Sequence, residues 1–191
     1  MDRDKILNSI RSNAGKHVVL PEMTAYNESH TTEELTKAMK LSLEQNGADY
    51  VETETLNDNE LYKFIESKYP GAVDFTNKEV WDEYLPDCSK EKLNRLDAVI
   101  IKGRLGVAEN GAIWIDDTDF PNRLIPFIAI RLIILLDRDN IVSNMHDAYF
   151  RIGQTDSGFS LFISGPSKTA DIEQSLVYGA HGATGLTVVF F

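Results

Sequence analysis

Apolar residues recur along this chain at helical spacing in some stretches and as continuous runs in others. Ile6, Leu7, Ile10 and Ala14 repeat on one helical face behind Asp2 and Asp4, with Gly15 where a helix end uses it. Residues 17–20 read as a strand stopped by Pro21, and residues 22–30 as a polar loop. Leu35, Ala38, Met39 and Leu43 share the next helical face, which Thr31 or Thr32 can cap and Gly47 closes. Residues 49–52 predict a short strand, 57–68 a helix with Leu61, Phe64 and Ile65 inward, and 72–75 another strand. From 80 to 96 the pattern is polar and irregular, with one short helix.

The second half has denser apolar runs. Residues 96–101, 112–115 and 128–136 predict strands, the first of the continuous kind that is buried on both faces. Residues 159–163 and 186–191 add two more, and helices are expected near 139–151 and over 169–177. Alternating helix and strand predicts an α/β fold: a single domain over 1–191, a mostly parallel sheet flanked by helices, and residues 1–15 as a helical extension.

Composition narrows the class. With 42% hydrophobic and 26% charged residues among 191, the chain is of ordinary globular type, not disordered. Nineteen Lys and Arg against 30 Asp and Glu give a net charge of −11, which would repel nucleic acid. The most apolar stretch, 124–136, is broken by Pro126 and Arg131 and falls short of the roughly 20 residues of a membrane span. No membrane association is expected. The start, Met1 to Lys5, lacks the basic and apolar regions of a signal peptide. Cys88 is the single cysteine, so no intrachain disulfide or cysteine-held cluster can form, and a cytoplasmic location is expected. His17, His30 and His146 show no metal-ligand spacing, and no G-x-G-x-x-G, Walker A or G-x-S-x-G element occurs. The chain is expected to carry neither metal nor cofactor.

Three segments hold candidate chemistry. In the first, an apolar strand runs into Ser164-Gly165-Pro166-Ser167-Lys168-Thr169, with Asp171 and Glu173 behind. If a helix opens there, its unpaired amides can hold a phosphate or carboxylate, aided by three hydroxyls and the Lys168 charge. Equally, Ser167 or Thr169 serves only as a cap and the acids complement the helix dipole. The second segment, 103–112, contains Gly103, Gly106 and Gly111, which permit tight turns and close ligand approach. Its one acid, Glu109, suits a nucleophile, a general base or an acceptor for a substrate hydroxyl. Asn110-Gly111 is also a strong hairpin signal, and a plain turn is the competing reading. The third is Gly179-Ala180-His181-Gly182, where His181 is either an acid–base group or a hydrogen-bonding turn residue.

Residues 163–173, followed by Val177-Tyr178-Gly179-Ala180-His181-Gly182, resemble the signature of the LUD-domain family, of lactate utilization protein C (LutC/YkgG) type. Ala183 stands where that pattern has proline. Residues 107–113 resemble the family's I-A-E-T-G-T-I run, with Asn110 and Ala112 in place of both threonines. The opening helix is similar as well.

The resemblance implies a NagB/RpiA/CoA transferase-like fold, shared with glucosamine-6-phosphate deaminase and ribose-5-phosphate isomerase. Ligands there sit in Gly-rich loops at the carboxyl ends of strands, so the three segments would converge on one pocket. It also implies a role in oxidising L-lactate to pyruvate beside iron–sulfur partner subunits. On this reading Glu109 and His181 are the candidates for proton transfer. A small anionic ligand would be held among Gly103, Gly106, Asn110, Gly111, Ser164, Gly165, Pro166, Ser167, Lys168, Thr169 and Asp171. One alternative is a CoA-transferase-like enzyme, because Ala108-Glu109-Asn110-Gly111 is similar to the Ser-Glu-Asn-Gly run around the nucleophile of those enzymes. Glu109 would then attack an acyl-CoA. A non-catalytic regulatory subunit is the other, and a homo-oligomer stays open.

Overall fold

The computed structural model describes residues 3–13, 30–54, 59–155, 157–170 and 176–191. The strand expected over 17–20, the loop up to residue 29, Ala14, Gly15 and Asp171 lie outside the described residues.

Five strands form a wholly parallel sheet in the order β1 (Asp49–Glu52), β11 (Gly185–Phe190), β6 (Arg131–Leu136), β3 (Ala98–Gly103), β2 (Val73–Asp74). Period-two alternation explains why its three central strands are apolar almost throughout. Val99, Ile101, Leu132, Ile134, Leu136, Leu186, Val188 and Phe190 face one core. Ala98, Ile100, Ile133, Leu135 and Val189 face the other, where α3 (Asn59–Lys68) supplies Leu61 and Ile65. Each such side chain contributes about 1.5–3 kcal/mol on burial, so these strands dominate the stability of the fold.

The first core is closed by α2 (Thr32–Gln45), through Met39 and Leu43, and by a second sheet. Thr31 and Glu34 form a reciprocal capping box at the start of α2. The second sheet runs β7 (Ile141–Val142), β4 (Leu105–Val107), β5 (Ala112–Asp116), β8 (Ser160–Ile163), antiparallel except for the β7–β4 pair. Its far face is covered by α6 (Met145–Ile152), with Ala148 against Leu105, Val107 and Trp114. A short helix, α4 (Lys90–Leu93), precedes β3, and α5 (Ile125–Ile128) precedes β6. The first helix, α1 (Arg3–Asn13), carries no buried side chain. The architecture is therefore mixed α/β, with a parallel central sheet flanked by helices.

Several local expectations are corrected. The strand expected over 128–136 begins only at Arg131, because Pro126 starts the short α5. The helix expected near 139–151 begins at Met145, where the Asn144 side chain accepts from the Asp147 N–H. Before it, Ile141 and Val142 pair with Gly106 and Val107. The largest change is at 169–177. Instead of a helix, β9 (Lys168–Ala170) and β10 (Leu176–Tyr178) pair antiparallel, Val177 opposite Thr169. Thr169, Val177 and Tyr178 are all residues that suit a pleated surface.

Candidate functional site

The Ser164–Thr169 corner and the His181 loop meet. The Ser167 N–H donates to the Ala183 carbonyl at 2.8 Å, and the Gly179 N–H to the Ser167 carbonyl at 2.9 Å. Gly165 makes the turn between β8 and β9 with φ +78°, a left-handed value that glycine adopts without strain. Together the two loops wall a cavity of about 340 Å³, lined on the polar side by Ser164, Ser167, Lys168 and His181. Phe127, Leu132 and Leu186 contribute to its apolar walls. No carboxylate lines it among the described residues.

The third segment joins through α2. Asn46, at the end of that helix, donates through Nδ2 to the Asn110 carbonyl at 2.8 Å and to Ser164 Oγ at 2.8 Å. Ser164 Oγ donates in turn to the same Asn110 carbonyl at 2.7 Å. Lys168 Nζ donates to the Asn46 carbonyl and pairs with no carboxylate among the described residues. Asn46 is thus the bracket between both loops. Nothing in the sequence marked it beyond a helix end at Asn46-Gly47, because its partners lie 64 and 118 residues away.

The segment 103–112 does different work. Gly103 and Gly106 are buried. A Cβ on Gly103 would stand 2.7 Å from Ile113 Cγ2, and one on Gly106 would stand 2.7 Å from Met39 Sδ. Both are close-packing positions, and neither lines the cavity. Gly111 has φ +66° in the turn that joins β4 to β5, so the hairpin reading of Asn110-Gly111 holds. Glu109 is exposed and its Oε1 accepts from the Met145 N–H at 2.8 Å, at the positive end of α6. It does not line the cavity. Glu109→Ala is expected to cost about 1 kcal/mol of stability, read by chemical denaturation; an unchanged midpoint would deny the capping role.

Polarity within the sheet is the second surprise. The His181 loop leads into β11, and the Thr184 N–H donates to the Ile130 carbonyl just ahead of β6. The cavity therefore lies at the amino ends of β6 and β11, not at the carboxyl ends where the family resemblance puts ligand loops. Gly165 and Pro166 are buried and line it, and Thr169 is half-buried in β9 without lining it. No group of three or more His, Cys, Asp or Glu able to hold a metal ion occurs among the described residues. No helix among them is long and apolar enough to cross a membrane.

Fold and loop geometry define an α/β protein with a small polar cavity beside a parallel sheet. Residues 23–191 match the LUD domain, and the chain belongs to that family. It is 24% identical to lactate utilization protein C of Geobacillus sp. (strain WCH70), over 98% of this chain and 95% of that protein. It is 33% identical to lactate utilization protein C of Bacillus pumilus over 40% of this chain and 34% of that protein. A crystal structure of a DUF162 family protein from Deinococcus radiodurans superposes with a TM-score of 0.58 at 19% identity. That match covers 85% of this chain and 99% of the other, and shows a shared fold.

Proposed function

We propose that this protein acts in lactate utilization and binds a small hydroxy or keto carboxylate in the cavity between the Ser164–Thr169 corner and the His181 loop. One observation carries the reading. In a chain of net charge −11, this cavity gathers the Lys168 ammonium, the Ser167 hydroxyl and the His181 imidazole without a carboxylate among its lining residues. Ser167 Oγ and the imidazole have no hydrogen-bond partner among the described residues. Charge-assisted hydrogen bonds from such a set hold a carboxylate, and the apolar wall suits a short carbon chain. The two relatives named lactate utilization protein C support the substrate class.

Oxidation of L-lactate to pyruvate releases two electrons and two protons. In this reading iron–sulfur partner subunits take the electrons, His181 takes one proton and solvent takes the other. The CoA-transferase alternative would need Glu109 as nucleophile, and Glu109 accepts from the Met145 N–H and does not line this cavity.

Titration calorimetry with L-lactate and pyruvate tests the assignment. Binding is expected, weakened about 10- to 100-fold in Lys168→Ala, as for loss of one charged hydrogen bond worth about 1.5–3 kcal/mol. Ser167→Ala should lose less. Equal affinity in wild type and Lys168→Ala would refute it.

A further inference from the structure

A second cavity, of about 580 Å³, opens at the other end of the parallel sheet. Lys102 is the penultimate residue of β3, and Asn140 lies in the turn that follows β6, so this cleft sits beyond the carboxyl ends of two adjacent central strands. Ligands of parallel α/β sheets sit in that position. The carboxylate reading above assigns nothing to it.

Charge is what distinguishes the cleft. Its one lining acid among the described residues, Asp116, is 2% exposed and already engaged. It accepts from the Thr118 N–H at 2.9 Å and lies 3.4 Å from the Arg104 guanidinium. Arg104 is also bound to Asp119, which raises its pKa further, and it lies 6.0 Å over the Trp114 ring. Arg104 is therefore spent on Asp116 and Asp119, a group of net charge −1, and supplies no free cation to the cleft. Lys102 and Arg151 remain. Neither has a carboxylate partner among the described residues. Arg151 is aimed by neutral acceptors, the Asn140 side chain at 2.7 Å and the Asp139 carbonyl at 3.4 Å. Gln154 and Thr155 add neutral donors to the same wall.

We propose that this cleft binds a dianionic phosphate-bearing ligand, held between Lys102 and Arg151. A monocarboxylate would leave one of the two cations unmatched, whereas a phosphate supplies two charges and enough acceptor oxygens for guanidinium, ammonium and amide together. A cavity of this volume also falls in the range that accepts a mononucleotide-sized molecule.

Calorimetry of the full chain with pyrophosphate tests this. The Lys102 side chain is exposed and has no hydrogen bond or ion pair among the described residues, so Lys102→Ala reports on the ligand. Pyrophosphate is expected to bind, roughly tenfold weaker in Lys102→Ala and unchanged in Lys168→Ala. Tighter binding of ADP than of pyrophosphate would assign a phosphorylated organic ligand. Weaker binding of ADP would assign free phosphates, and the cleft stands in either case. No heat with pyrophosphate, or equal affinity in Lys102→Ala, overturns the proposal. Because Lys168→Ala serves as the control, failure here is separable from failure of the carboxylate assignment.

Discussion

Phe190→Ala is expected to lower the unfolding free energy by about 3–5 kcal/mol. Phe190 ends β11, is fully buried, and pairs with Glu52 of β1 on one side and Leu136 of β6 on the other. Its ring meets Tyr50 edge-on at 6.3 Å between centroids. Truncation removes the transfer energy of the ring and leaves a hole where two parallel neighbours cannot collapse without losing register. Leu and Met at this position should recover part of the loss, since they refill volume without the ring. Urea denaturation, with an unchanged slope and a shifted midpoint, is the measurement; a shift worth less than about 1 kcal/mol would mean that the sheet core is not the main source of stability.

Gly165→Ala should be the most damaging change at the cavity itself, at about 2–4 kcal/mol. Two separate costs combine there. The residue sits at φ +78°, which an L side chain rarely adopts, and its new Cβ would lie 2.7 Å from the Asn46 carbonyl oxygen. That oxygen belongs to backbone and cannot swing aside. It is also the acceptor of Lys168 Nζ, so relief of the clash displaces the lysine that the carboxylate needs. The variant should therefore lose both thermal stability and lactate affinity. Gly71→Ala, at φ +76° with nothing within 4 Å of the added Cβ, separates the two costs, because it carries strain without collision.

The central strands were legible because burial on both faces demands unbroken apolar runs, as in β3 and β6. The start of α2 was legible for a local reason, since Thr31 and Glu34 are three residues apart. β4 was hidden because Leu105-Gly106-Val107 reads as part of a glycine-rich loop, whereas Gly106 is there to let Met39 and Leu136 approach. The β9–β10 hairpin was hidden because hydroxyl residues after Gly165-Pro166 look like a helix cap, and the antiparallel partner follows only after residue 175. At the site, three segments were expected to converge; the corner and the His181 loop meet, while Glu109 of the third turns to the start of α6. Their position at the amino ends of β6 and β11, and the bracketing by Asn46, depend on pairings between distant segments that no local pattern encodes.

The carboxylate site can be located directly by NMR. The chain has four histidines, so the imidazole signals form a small set, and His181→Asn assigns the one that matters. On addition of L-lactate or pyruvate, the His181 signal is expected to move in a saturable way while those of His17, His30 and His146 stay in place. A titration that shifts another histidine instead, or none at all, would contradict the account.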